Sequence, residues 1–387
     1  MTKVLSPSLH IDFIEYCQGI EDSRQPVKLT YPLDEVLFLG LCGVISGCEG
    51  WEEISFFGEN HIKFLREYLP YQGNIPSSST IARVFSIISP AIFEEFFTNW
   101  FGKFLGSSLP EGTIISIDGK TVCGSKSASN RALHMLHACV AESGLLLGYK
   151  TTDSKSNEIT AIPALLENLD INGCIVTLDA MGCQRDICAK IKENGGDYII
   201  GLKGNQGTLN EDVRLLLEDF KAYEANLNVS VDAGHGRVET RTVTAISAGD
   251  YLQENHNWPG LATVAMVQTS RYNKTSKEYD DDETRYYISS LPPDAAKLQY
   301  GVRKHWMVEV VHWALDVSFN EDKIHIVMDN AAENLAFMRK MAFNMMKMHQ
   351  KSLKKTISIS RLQKMCLMKP KNIREILTLK NYLLVNS

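Results

Sequence analysis

Apolar positions along this chain follow a helical period up to about residue 106. An apolar run follows Tyr31-Pro32-Leu33, Trp51 to Phe57 is amphipathic, and Ala91 to Leu105 is rich in aromatic residues. Pro76-Ser77-Ser78-Ser79-Thr80 leads into Ile81-Ala82-Arg83-Val84-Phe85, a helix start in which hydroxyl groups cap the first free N–H groups. A short helix opening on Ser, Thr and Arg83 either offers those groups to a DNA groove or is an ordinary capped helix. Ser-Leu-Pro-Glu-Gly, at 108–112, reads as a linker.

From Thr113 the period becomes that of strands. Thr113 to Asp118 is a buried strand ending in an acid, and His134 to Ala141 and Leu145 to Thr151 form a hairpin around Glu142-Ser143-Gly144. A helix over Glu158 to Leu169, an apolar strand Cys174 to Asp179, a helix from Cys183 stopped by Gly195-Gly196, and a strand Asp197 to Leu202 follow. Asn210 to Tyr223 is again helical, strands recur at Val238 to Ile246, Leu261 to Gln268 and Tyr286 to Ser290, and Ala295 to Ser318 reads as one long helix. Asp329 is placed to cap a last helix reaching about His349. Antiparallel strands followed by alternating helix and strand make an α/β layout with a mixed sheet, the order of the ribonuclease-H-like fold. The expected organisation is a helical, DNA-binding domain over 1–106 and a core beginning over 107–227. A β-rich subdomain inserted over 228–294, the rest of the core over 295–350 and a basic tail over 351–387 complete it.

Composition narrows this only a little. A formal net charge of −6 over 387 residues excludes a generally basic nucleic-acid coat, so DNA contacts would come from local patches. One such patch is the end of the chain: ten Lys or Arg lie between Lys347 and Lys380, Lys354 and Lys355 among them, against the single acid Glu375. These are either a solvated tail or contacts to DNA phosphate. Nine cysteines without a Cys-x-x-Cys pair fit neither a disulfide framework nor a structural zinc site. That usage, with no signal-peptide core and no apolar run long enough to span a bilayer, leads us to expect a cytoplasmic protein with no membrane contact.

The candidate chemistry lies at strand ends. Asp118, in Ile-Asp-Gly-Lys, and Asp179, in Leu-Asp-Ala-Met-Gly, each close an apolar strand, where open α/β sheets place functional groups. The small residue after each acid leaves room for a ligand to approach. In Arg303 to Asp316, steps of three and four align His305, Glu309, His312 and Asp316 on one stripe of an apolar helix. Such a stripe needs polar partners, or else is scattered surface charge. Three facing carboxylates would repel until a cation joined them, as in two-magnesium phosphoryl transfer.

Many of these segments resemble DDE-type transposases of bacterial insertion sequences, in the branch that includes the H-repeat-associated proteins. The likeness runs through Tyr31-Pro32-Leu33, Trp51-Glu52-Glu53-Ile54, Ile117-Asp118-Gly119-Lys120 and Lys155-Ser156-Asn157-Glu158-Ile159. It continues through Asp179-Ala180-Met181-Gly182, Leu202-Lys203-Gly204-Asn205-Gln206, His235-Gly236-Arg237 and the helix from His305-Trp306 to Asp316. The resemblance implies a ribonuclease-H-like core and Asp118, Asp179 and Glu309 as the acids holding two Mg²⁺, with Mn²⁺ able to substitute. It implies cleavage of double-stranded DNA at the element's ends and joining of the 3′-hydroxyl to target DNA, by a homodimer assembled on DNA near the bacterial nucleoid. By their chemistry Lys120, Lys203, Asn205 and Gln206 are candidates to position DNA, as are Lys155, Asn157, His235, Arg237 and His305. The chain departs from the family at Val310, where Asn is usual, and at Cys123, where Arg is usual. It departs again at Ile324-His325-Ile326-Val327, where relatives carry arginines. A degenerate transposase acting only as a DNA-binding protein, and a nuclease of RNA–DNA hybrids, are the alternatives.

Overall fold

The computed structural model describes residues 9–25, 29–105, 109–126, 132–152, 158–219, 226–234, 236–323, 325–326, 328–353 and 355–379. The chain opens with five helices: α1 (Leu9–Gly19), α2 (Leu33–Ile45), α3 (Trp51–Leu65), α4 (Ser78–Ile87) and α5 (Pro90–Leu105). Nearly every side of α2 is apolar, and it is buried accordingly at the centre of this bundle. The cap expected at Ser77 forms, its hydroxyl accepting the Thr80 N–H at 3.4 Å, and Arg83 is exposed one turn on.

The strands and helices of the core follow: β1 (Ile114–Val122), β2 (Leu133–Val140), β3 (Leu145–Thr152), α6 (Glu158–Glu167), β4 (Ile175–Leu178), α7 (Arg185–Glu193), β5 (Asp197–Leu202) and α8 (Gly207–Asp219). β6 (Asn226–Gly234), β7 (Arg237–Ser247), α9 (Gly249–His256), β8 (Thr263–Asn273), β9 (Glu278–Tyr279) and β10 (Glu283–Ser289) come next. The chain then runs through α10 (Ala295–His305), α11 (Met307–Ser318), α12 (Ala331–Ser352), α13 (Ile359–Met368) and α14 (Pro370–Leu377).

The sheet order is β3-β2-β1-β4-β5-β10-β8-β7-β6, with β9 on β8. β1 runs parallel to β4 and β4 to β5, and the other pairs are antiparallel. The first five strands have the ribonuclease-H-like arrangement. The strands of the insertion continue that sheet: β10 pairs with β5 from Tyr286↔Leu202 to Ser289↔Ile199. Without this pairing β5, with Tyr198, Ile199 and Ile200 all buried, would be an apolar edge. α6, α7 and α8 cover one face and α10 and α11 the other. At the far edge the side-chain amide of Asn344 on α12 accepts the Leu146 N–H (2.9 Å) and donates to the Leu146 carbonyl (2.8 Å), satisfying the bulged edge strand β3.

Four sequence expectations change. The strand expected to end at Asp118 runs on to Val122, paired with β2 as far as Val122↔Leu133, so Asp118 lies inside β1 rather than at its end. The helix expected over Ala295 to Ser318 breaks at Trp306, whose N–H bonds back to the Arg303 carbonyl in a tightened turn. The break lets α10 lie along β1, β4 and β7 while α11 packs on β1 and β2. Asp329 does not cap α12 but takes a left-handed backbone (φ 37°), and the helix begins at Ala331. The basic end is no free tail over its described part. Leu362, Cys366, Ile373, Ile376 and Leu377 are buried, so α13 and α14 pack on α12, and Arg374 pairs with Glu67 of the N-terminal bundle at 2.5 Å. The lysines there form the outer side of an amphipathic helix pair, with Lys355 exposed.

α12 joins the bundle to the sheet: Phe337 is fully buried and stacks on Phe93 of α5 at 4.4 Å, with Phe96 and Phe97 edge-on. Phe337→Ala is expected to cost about 3–5 kcal/mol and to lower one shared thermal transition. A transition that splits, leaving the core at its original Tm, would contradict the joint.

Candidate active site

Parallel pairing aligns the two aspartates. Ser116 on β1 sits opposite Thr177 on β4, and side chains two residues apart share a face, so Asp118 and Asp179 emerge side by side on the face covered by α10 and α11. Below them runs a hydrogen-bond chain. Thr177 donates to Ser116 (3.1 Å) and Ser116 to the Lys304 carbonyl (3.2 Å). With its proton so used, Thr177 can only accept from His305 Nδ1 (3.1 Å), which leaves Nε2 as that ring's acceptor. One oxygen of Asp179 accepts the N–H groups of Met181 (2.9 Å) and Gly182 (3.3 Å), which fixes the carboxylate and starts the turn after β4.

Glu309 lies in the first turn of α11 and lines a cavity of about 330 Å³ together with Asp179. Lys203, Arg214 and Arg285 also line it, as do Tyr286 and Trp306. Burial raises the Glu309 carboxyl above its usual range, and Arg285 opposes that rise. Asp118 is pushed up to about 7, chiefly by burial and then by Asp179, Glu158 and Glu309. His312 stands 3.8 Å from Asp118 and shares a 3.0 Å hydrogen bond with His137. It offers no charge, because burial first and Lys120 second push it down to about 3. Among the described residues no Lys or Arg forms an ion pair with any of the three acids. Oxygen donors in excess of positive charge suit a hard divalent cation. No three His, Cys, Asp or Glu side chains among the described residues already form a closed metal cluster.

The other expected site residues divide. Lys203 is exposed at the cavity, and His305 lines it. Asn205 and Gln206 donate to the carbonyls of Ala180 and Cys183, both at 2.8 Å, so they tie the loop after β5 to the loop after Asp179. Lys120 does not face a phosphate: it is 7% exposed and held by Asp316, Glu321 and Asp322. Arg83, Arg237 and Lys355 are exposed but do not line the cavity. Lys155, Asn157, His235 and Lys354 lie outside the described residues. The room expected after Asp118 is already filled, since a Cβ on Gly119 would lie 2.4 Å from Glu158 and 2.6 Å from His134. Those two side chains form a buried 2.6 Å pair. Glu158, Arg214 and Arg285 were missed as site residues. Glu158 belongs to the Lys155–Ile159 motif, whereas the two arginines carry no local signal: Arg214 comes from α8, and Arg285 meets the acids only through the β5–β10 pairing.

A family described as the transposase DDE domain matches residues 109–345, and its associated domain matches residues 14–101. The "H repeat-associated putative transposase YhhI" of Escherichia coli K12 is 41% identical over 340 residues, 86% of this chain and 89% of that one. The "Putative transposase YncI" of Escherichia coli O157:H7 is 38% identical over 340 residues, 86% and 87% of the two chains. A piggyBac transposase synaptic complex with hairpin DNA aligns over 97% of this chain and 80% of that one at 10% identity and a TM-score of 0.41, too distant to carry an argument. The chain belongs to the DDE transposase family, in the branch of the H-repeat-associated proteins. Divalent metal ions are the usual cofactors of that family. Among the described residues no helix is long and apolar enough to cross a membrane.

The electrostatics set a pH dependence. The folded value of Asp118 lies above its ordinary 3.8, so its contribution to stability is present below about pH 4 and lost as pH rises through about 7. With chelator present, the Tm of the unaltered protein should fall across that interval, and Asp118→Asn should flatten the fall. Parallel Tm profiles for the two proteins would show that Asp118 does not titrate in this range.

Proposed function

We propose that the chain cuts phosphodiester bonds at the ends of an insertion sequence and joins the freed 3′-hydroxyl to target DNA. What supports this reading most is the convergence of Asp118, Asp179 and Glu309, from β1, the end of β4 and α11, beside a cavity walled by Lys203, Arg214 and Arg285. The three carboxylates would hold two divalent ions, Mg²⁺ by this reading with Mn²⁺ as substitute, and the ions would supply Lewis-acid charge to an in-line displacement. Asp118, the most buried of the three acids, gives up its proton as the site loads. Asp179 arrives with one oxygen already bound to backbone N–H groups, so its free oxygen has a set direction. Lys203, Arg214 and Arg285 take the oxygens of phosphates flanking the scissile one. Water opens the phosphodiester and releases a 3′-hydroxyl, and that hydroxyl displaces a second 3′-oxygen in the target strand. No side chain is consumed in either step. Two ends must meet, so the working form is a dimer on DNA, in the cytoplasm with the nucleoid. Helices α1–α5 and the exposed lysines of α13 and α14 supply further DNA contacts.

The test is cleavage of a labelled transposon-end duplex with Mg²⁺. Asp179→Asn should lose more than about 100-fold in rate, beyond the loss typical of outer-shell changes, while still binding the duplex. Binding by every variant with no nicking by the unaltered protein would instead identify a DNA-binding protein without catalysis. Arg285→Ala should reduce the slope of log affinity against log salt by about 1. An unchanged slope would remove Arg285 from the DNA contacts.

A further inference from the structure

Two residues beyond Asp118, Lys120 leaves β1 on the same face and enters the buried interior. Its ammonium lies 2.7 Å from Asp316 on α11, 2.9 Å from Glu321 and 3.2 Å from Asp322, both in the segment just after α11. Asp322 also accepts the N–H of Cys123, at the end of β1, at 3.0 Å. Glu321 is fully buried, and its other oxygen faces the fully buried Lys340 of α12 at 3.9 Å. Two cations, Lys120 and Lys340, thus contact three acids, Asp316, Glu321 and Asp322, with Arg339, 4% exposed, near enough to act on Glu321 and Asp322 through space.

Burying such a network is a poor way to gain stability, because apolar side chains of the same volume would do as well or better. What it provides is direction: an ion pair at 2.7 Å sets the distance between two elements where apolar contact lets them slide. Those elements are the ones that carry the site. Asp118 is two residues before Lys120 on β1, and Glu309 is seven residues, about two turns, before Asp316 on α11. No other polar contact between side chains among the described residues joins β1 to α11 apart from the long approach of His312 to Asp118.

We propose that Lys120 and Asp316, backed by Glu321, Asp322 and Lys340, are positioning residues: a buried strut that holds α11, and with it Glu309, at a set distance from β1 and Asp118. The metal-binding consequence rests on the function proposed above; the strut itself does not. The departure from the family at Cys123 leaves it intact, since the bond to Asp322 is made by the backbone N–H.

Asp316→Asn is the variant of choice. Its side chain is 32% exposed, and Lys120 keeps Glu321 and Asp322 as partners, so folding should survive where loss of Glu321 would strand buried cations. With the full-length protein, hydrogen exchange of the 307–318 peptide should quicken about tenfold while the Tm moves little. Mn²⁺ affinity by titration calorimetry should weaken about tenfold, and Asp316→Glu should restore both. The strut is refuted if exchange across α11 is unchanged in Asp316→Asn. It is equally refuted if exchange changes only in step with the Tm and without rescue by Glu. If the unaltered protein binds no Mn²⁺ but Asp316→Asn still loosens α11, the strut stands and the metal-site reading fails.

Discussion

Everything at the site depends on the parallel pairing of β1 with β4. A slip of one residue would turn every side chain to the opposite face, moving Asp118 away from α11 and Ile117 out of the core. Burial of Ile115, Ile117, Val176 and Leu178 on one face therefore determines where the two acids point on the other. The Thr177–Ser116 bond locks this register through side chains, and the contact with His305 carries it on to the end of α10.

The helix opposite meets the sheet with a matching order of polar groups. His305 reaches Thr177, His312 reaches His137, and Asp316 reaches Lys120. His305 and Glu309 both line the cavity, but only Glu309 does so without a hydrogen-bond or ion-pair partner among the described side chains. His305, His312 and Asp316, which point into the fold, each meet a polar partner there, whereas Glu309 is exposed and needs none within the chain. The contrast with the neighbouring network is electrostatic. Around Lys120 each acid has a cation within contact distance, whereas Asp118 is raised first by burial and then by nearby acids, with no cation paired to it among the described residues. A balanced cluster holds geometry, and an unbalanced one invites a cation.

The insertion between the second and third acids acquires its role from where it pairs. By joining β5 through β10 it extends the sheet and brings Arg285 and Tyr286 beside Asp179 and Glu309. The cationic wall of the cavity is thereby assembled from three separate stretches, β10, α8 and the loop after β5. The N-terminal bundle is tied in similarly, by Phe337 and Asn334 of α12 and by the return of α13 and α14 onto it.

What was legible in the sequence was local. The acid at the end of β4, the cap at Ser77, the Glu142-Ser143-Gly144 turn and the polar stripe of His305 to Asp316 follow from periodicity and turn chemistry, which act over a few residues. Asp118, Asp179 and Glu309 could be named in advance because the two aspartates follow apolar strand runs, because Glu309 stands on a polar helical stripe, and because their motifs resemble a known family. Tertiary structure decided which charges are free. Lys120 looked like a phosphate contact until the fold brought Glu321 to it from 201 positions away. Gly119 looked like space for a ligand until Glu158 and His134 filled it. The break at Trp306 and the docking of the basic end also arise from packing against distant surfaces. Period and propensity say which way a side chain points along its own element, but only the assembled core says what stands there to meet it.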